Sequence, residues 1–201
     1  MNKQYLLSIV IPLYNVEEFL NETLEAITSQ VNTYNVELVL CDDKSNDSTK
    51  EIALKYKKKF DFINYFENEQ NLGMDGNFER IADLAKGDFI WFSGQDDFFT
   101  ADAITKVLDV IDKNPSVNFI HMNFSQNSHF MDKVITEKML EIDQDKYFDS
   151  YLNYLEFVGL GELPSFLPAF IIKNEIWDSI KNINDFDKSC FVLLGIVFEA
   201  I

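Results

Sequence analysis

The first 125 residues alternate between two kinds of segment. "LLSIVIPLY" (6–14), "VELVLCD" (36–42), "FINYFEN" (62–68), "DFIWFS" (88–93) and "VNFIHMNF" (117–124) are short apolar runs rich in β-branched and aromatic residues. Runs that are continuously apolar read as strands buried on both faces. Between them lie helical patterns: Leu20, Leu24, Ile27 and Val31; a segment ending near residue 59; Phe78, Ile81, Ala82 and Ala85; and Ile104, Val107, Leu108 and Ile111. Asn15 with Glu18, and Ser48 with Glu51, have capping-box spacing, and Thr100 stands where a cap for the last helix is expected. Gly87 and Pro115 read as helix stops. The pattern predicts an α/β fold: a mostly parallel, doubly wound sheet with right-handed crossovers.

In such sheets ligands bind beyond the carboxyl ends of the strands. Three of those ends read "PLYN", "CDDKSND" and "SGQDD", all polar and two doubly acidic. Asp96 and Asp97 follow an apolar strand side by side. Adjacent carboxylates repel, and burying them unpaired is costly. A hard divalent cation, which takes carboxylate oxygens, would resolve the conflict. One carboxylate could then ligate the metal while the other accepts a hydroxyl hydrogen bond. The competing reading is that one of the pair caps the next helix. The dinucleotide fingerprint G-x-G-x-x-G and the P-loop G-x-x-x-x-G-K-[ST] are both missing, so dehydrogenases and P-loop NTPases fit poorly.

Charge narrows the partners. With 34 acidic and 17 basic residues the formal net charge is −17, which argues against nucleic-acid binding. It also disfavours simple attachment to anionic lipid, leaving only a local peripheral membrane contact open. The basic run "KYKKKF" (55–60) reads as a solvated helix end at the negative pole of the dipole. Cys41 and Cys190 lie in apolar runs and form no disulfide framework, consistent with a reducing, cytoplasmic compartment. No signal peptide or run of transmembrane length is evident; "CFVLLGIVFEAI" (190–201) comes nearest, and its position predicts a cut chain or an end packed on a partner.

After residue 126 the rhythm changes. "KVITEKMLEI" reads as an edge hairpin strand, and Phe148, Tyr151, Leu152, Leu155 and Val158 as an amphipathic helix. "GLGELPSFLPAFII" reads as a loop entering a strand, and "NEIWDSI" as a short helix capped by Asn174. His121 and His129 have no metal-motif spacing; His121 is expected on a strand, satisfied by hydrogen bonds.

The ordered set "SIVIPLYN", "VLCDDKSNDST" and "NLGMDGNFERIADLAKGDFIWFSGQDD" resembles the family 2 glycosyltransferases of the nucleotide-diphospho-sugar (GT-A) fold. "GELPSFLPAFIIKNEIW" resembles the acceptor-side segment of bacterial surface-polysaccharide transferases. The resemblance implies a nucleotide-sugar-binding α/β domain over 1–125. It also implies an acceptor-side region over 126–201, packed on the same sheet and incomplete at its C-terminal end. It implies transfer of a sugar from a nucleotide-diphosphate donor to a glycan or lipid-linked acceptor, inverting and assisted by Mn²⁺ or Mg²⁺. Pro12 and Tyr14 would pack the base and Asp43, with Asp42 beside it, would accept from it. Asn71 and Gly73 match the family's N-x-G turn. Asp97 would be the main metal ligand, with Gln95 and Asp96 toward the donor and Asp96 a second ligand.

Two departures stand out. Asn77-Phe78-Glu79 replaces the usual Ala-Arg-Asn, leaving Arg80 as the candidate for the diphosphate, and Gly94 replaces the first acid of the D-x-D-D pattern. Glu162, Asp185 and Asp187 are the candidate bases. The alternatives are an inactive nucleotide-binding or interaction module of the same fold and a sugar-phosphate nucleotidylyltransferase. The latter would need a Gly-rich signature with Arg and Lys, which "IPLYN" lacks.

Overall fold

A computed structural model describes residues 5–31, 35–128, 133–159 and 169–179. The main sheet takes β1 (Tyr5–Leu13), β2 (Val36–Asp42), β3 (Ile63–Glu67), β4 (Gly87–Phe92), β5 (Phe119–His121) and β8 (Phe170–Lys173) in the order β3-β2-β1-β4-β8-β5. β1 pairs parallel with β2 and β4, and β2 with β3. The helices are α1 (Leu20–Thr28), α2 (Thr49–Lys59), α3 (Gly73–Leu84), α4 (Ala103–Lys113), α5 (Tyr151–Val158) and α6 (Asn174–Ser179).

The alternate residues of each buried strand divide between two cores. Leu7, Ile9, Ile11 and Leu13 of β1, with Phe89 and Trp91 of β4, face α1, α2 and α4. Val10, Val39, Cys41, Ile90 and Phe92 face α3 and α6 through Phe78, Ile81 and Trp177. Both faces are covered, which is why these strands read as unbroken apolar runs. Gly87 allows the close approach of β1 and β4: a Cβ there would lie 2.6 Å from Ser8 N.

Four local expectations are corrected. The run 117–124 yields only Phe119–His121 as strand, because β8 enters antiparallel between β4 and β5 and pairs with residues 119–121 alone. Asn15 does not cap α1; it adopts φ 50° and accepts from Asn46 N, while α1 begins after Phe19. Ser48 and Asp102 precede α2 and α4 without a side-chain cap bond, so Thr100 is not the cap of α4. Gly87 does not end α3, which stops at Leu84; it opens β4.

The hairpin expectation holds. β6 (Gln126–Asn127) and β7 (Val134–Thr136) form a separate two-stranded ribbon. His121 lies on β5, its Nδ1 2.9 Å from the Tyr154 hydroxyl. No described helix is long and apolar enough to cross a membrane. His129, Cys190, the loop ahead of Ala169 and the apolar run 190–201 lie outside the described residues.

Candidate functional site

The strand order reverses at β1, whose neighbours are β2 on one side and β4 on the other. A crevice at the carboxyl ends of β1 and β4 is therefore the expected ligand position. Its opening has a local cause. Val10 carbonyl accepts from Ser93 N at 3.0 Å, and β1–β4 pairing stops at Val10 and Phe92. Two residues on, the same backbone edge of β1 is Pro12, which has no N–H to donate. Toward β2 the pairing continues to Leu13 and Asp42, and Asp43 N donates to Leu13 carbonyl at 2.8 Å. Tyr14 therefore leaves β1 level with Asp43 and is 47% exposed.

The two loops beyond β1 and β2 are joined reciprocally. Asn15 N donates to Ser45 Oγ, Asn46 N to Asn15 Oδ1, Val16 N to Thr49 Oγ1, and Ser48 N to Glu17 Oε2. Asp47 accepts from both Glu17 N and Thr49 N. These backbone donors would otherwise lack partners where the strands end.

Asp43 is buried, and its carboxylate accepts from Asn68 Nδ2 (2.8 Å), Leu72 N (2.7 Å) and Gly73 N (2.9 Å). It holds the segment that opens α3. Asn71 Oδ1 shares the Gly73 N–H, and Gly73 has φ 77°, a conformation that favours glycine. Asp42 is also buried, with Oδ1 on Ser45 N and Oδ2 on the Tyr65 hydroxyl. Arg80 is exposed on α3 beside Cys41. Burial pushes the Cys41 thiol up to about 11, with the guanidinium opposing part of that shift.

The acidic turn has its own geometry. Gln95 Oε1 accepts from Tyr14 N at 2.8 Å, and Gln95 carbonyl accepts from Thr23 Oγ1 at 3.2 Å. Asp96 is exposed, while Asp97 is half-buried with Oδ2 accepting from Gly94 N at 2.8 Å. Burial first, and then the Asp96 charge, push the Asp97 carboxyl up to about 6. Neither acid caps α4, whose N-terminal flank is Asp102. Phe99 packs on Trp91 with ring centroids 4.8 Å apart, whereas Phe98 is exposed.

No group of three or more His, Cys, Asp or Glu side chains poised around a metal occurs among the described residues. The donor set is two carboxylates, whose hard oxygens suit Mg²⁺ or Mn²⁺ and leave coordination positions for diphosphate oxygens and water.

Sequence reasoning missed Asn68 and Asn77. Both are buried: Asn68 Nδ2 reaches Asp43 and Asn77 Oδ1, and Asn77 Nδ2 donates to Cys41 carbonyl. A polar residue next to Phe78 on the buried stripe of α3 was the available signal. Glu162, Asp185 and Asp187 lie outside the described residues. A separate cleft of about 530 Å³, lined by Gly87, Asp88, Ile111, Lys173 and Asp178 among others, opens at the amino end of β4, away from the carboxyl ends.

The family model for glycosyl transferase family 2 matches residues 8–165, which takes in every strand end described above. The chain belongs to glycosyl transferase family 2. Abequosyltransferase RfbV of Salmonella typhimurium is 31% identical over 192 residues, covering 92% of this chain and 56% of that protein. This chain thus spans little more than half the length of that relative. Staphylococcus aureus TarS 1–349 in complex with UDP superposes with TM-score 0.70 at 20% identity, over 96% of this chain and 55% of that one. Mannosyltransferase PcManGT of Pyrobaculum calidifontis, in complex with GDP-Man and Mn²⁺, gives TM-score 0.60 at 14% identity, over 86% and 46%. At these identities the two structures speak for the shared GT-A fold.

Proposed function

We propose that this chain carries the donor-binding domain (1–125) and acceptor-side region (126–201) of a family 2 glycosyltransferase acting in bacterial surface-polysaccharide synthesis. It would move a sugar from a nucleotide-diphosphate donor to a glycan or lipid-linked acceptor in the cytoplasm or at the inner face of the membrane. One observation carries the reading. Tyr14, Asp43 and the Asp96–Asp97 pair stand at the carboxyl ends of β1, β2 and β4, around the point where the strand order reverses. The UDP and GDP-Man complexes of the two structural neighbours support a nucleoside-diphosphate donor as the ligand.

The exposed Tyr14 ring stacks on the base beside Pro12. Asp43 Oδ2, which accepts one N–H from Gly73, retains capacity for a donor on the base. Asn71 and Gly73 shape the adjoining turn, Asp42 holds the loop beneath it, and Arg80 is assigned to the diphosphate. Asp96 and Asp97 are the residues that would hold Mg²⁺ or Mn²⁺. When bound, the cation supplies charge neutralisation for the departing diphosphate. The acceptor hydroxyl attacks the anomeric carbon opposite the diphosphate, with inversion, and loses its proton to a carboxylate base. Glu162, Asp185 and Asp187 are the candidates for that base.

The full-length protein should release nucleoside diphosphate from one of the UDP-, GDP-, CDP- or dTDP-sugars with Mn²⁺ and acceptor, and lose that activity in EDTA. Tight nucleotide binding with no turnover under any acceptor would instead identify a binding module.

A further inference from the structure

The missing rung between β1 and β4 is replaced by a side chain. Val10, Pro12 and Tyr14 share the backbone edge of β1 that faces β4. Val10 is paired with Ser93, and Pro12 has no donor. The next N–H on that edge, Tyr14 N, meets Gln95 Oε1 at 2.8 Å. The Gln95 main chain is anchored separately, because its carbonyl accepts from Thr23 Oγ1 of α1 at 3.2 Å. Thr23 is fully buried, so that anchor sits in the core.

Gln95 directly precedes Asp96 and Asp97, and it grips the residue whose exposed ring would take the base. We propose that Gln95 is a positioning residue that couples the nucleotide-base half of the crevice to its acidic half, so that cation binding and nucleotide binding reinforce one another. This rests on the donor-binding reading above. The role rests on the side-chain oxygen of Gln95, which is spent on β1 and fixes the distance between Tyr14 and the Asp96–Asp97 turn. Two loops held at a fixed separation present one preformed site. With the bridge removed, each half orders on its own, and binding at one no longer reduces the ordering cost at the other.

The test is calorimetric. UDP, GDP, CDP and dTDP are titrated into the purified chain with Mn²⁺ and with EDTA, and the tightest is carried forward. In the wild type, Mn²⁺ should tighten nucleotide binding at least tenfold. In Gln95→Met, which keeps the shape but has no oxygen acceptor, the enhancement should fall at least threefold, leaving the part due to direct contact between Mn²⁺ and the diphosphate. Gln95→Glu, which keeps an acceptor at the same reach, should recover it. Thr23→Val removes the second anchor and should also reduce the enhancement, which keeps the test open should Gln95→Met fail to fold. Wild-type enhancement in Gln95→Met or in Thr23→Val, or no recovery in Gln95→Glu, overturns the bridge alone. A wild-type protein whose nucleotide binding ignores Mn²⁺ overturns the metal-assisted reading and the bridge with it.

Discussion

Asp97 folds back over Gly94: its Oδ2 accepts the Gly94 N–H at 2.8 Å, and a Cβ on Gly94 would lie 2.1 Å from that oxygen. The residue that replaces the first acid of the D-x-D-D pattern is therefore small because the last acid occupies its space. The Asp97 carboxylate fills the space above Gly94.

Gly94→Ala follows directly. The crowding atom is the end of a side chain, so the fold can yield by swinging Asp97 away. The melting temperature should change little, while Mn²⁺-dependent nucleotide binding falls at least tenfold. Calorimetry with and without Mn²⁺ checks this, and an unchanged Mn²⁺ effect would show that the folded-back position of Asp97 is irrelevant.

Asp97→Asn should stabilise the metal-free protein. The folded-state carboxyl is raised to about 6 by burial and by Asp96. Its ionised form therefore weighs against folding above about pH 6, and that cost disappears below about pH 4, where both states are protonated. An asparagine keeps an oxygen for the Gly94 N–H and carries no charge. Urea unfolding in EDTA should show the variant more stable by about 1–2 kcal/mol at pH 8, with no gain at pH 4. A variant less stable than wild type at pH 8 contradicts the assignment.

How much of this was legible beforehand divides by range. The strands β1, β2 and β4 were readable because each is buried on both faces, and burial writes itself into a local apolar run; β3, at the sheet edge and only partly buried, showed through its aromatic residues. Tyr14, Asp43 and Asp97 were readable as strand-end residues for the same reason. The place of β8 was not: "AFIIK" announces a strand, but its insertion between β4 and β5 is settled by partners far away in the chain. Cap spacing also misled, because Asn15 and Ser48 serve bridges between two loops that local patterns do not encode.

Asp43→Asn should damage stability as well as binding. Its carboxylate takes Asn68 Nδ2, Leu72 N and Gly73 N, three donors from one segment. An amide presents a donor to one of them, leaving a clash or an unpaired buried group. The expected loss is about 1–3 kcal/mol in urea unfolding, together with weaker nucleotide binding. Wild-type stability and affinity in this variant would remove Asp43 from both roles.

His121 gives an independent pH signature. Burial holds its imidazole at about 4 in the folded state, against about 6.5 unfolded. The unfolded chain binds the extra proton between those values, so the stability due to neutral His121 is complete above about pH 6.5 and is lost as the pH falls toward 4. The stability gap between wild type and His121→Gln should narrow by about 2 kcal/mol from pH 7 to pH 4. A gap independent of pH would mean that His121 titrates as an exposed residue.

The most direct measurement is a crystal structure of the chain soaked with Mn²⁺ and the tightest of the four nucleoside diphosphates, using anomalous scattering to locate the metal. The Mn²⁺ peak should lie against the Asp97 carboxylate at the carboxyl end of β4, with the diphosphate on the metal and the base against Tyr14 in the β1–β4 crevice. A nucleotide bound elsewhere, such as the cleft at the amino end of β4, or a metal remote from Asp96 and Asp97, would contradict the account.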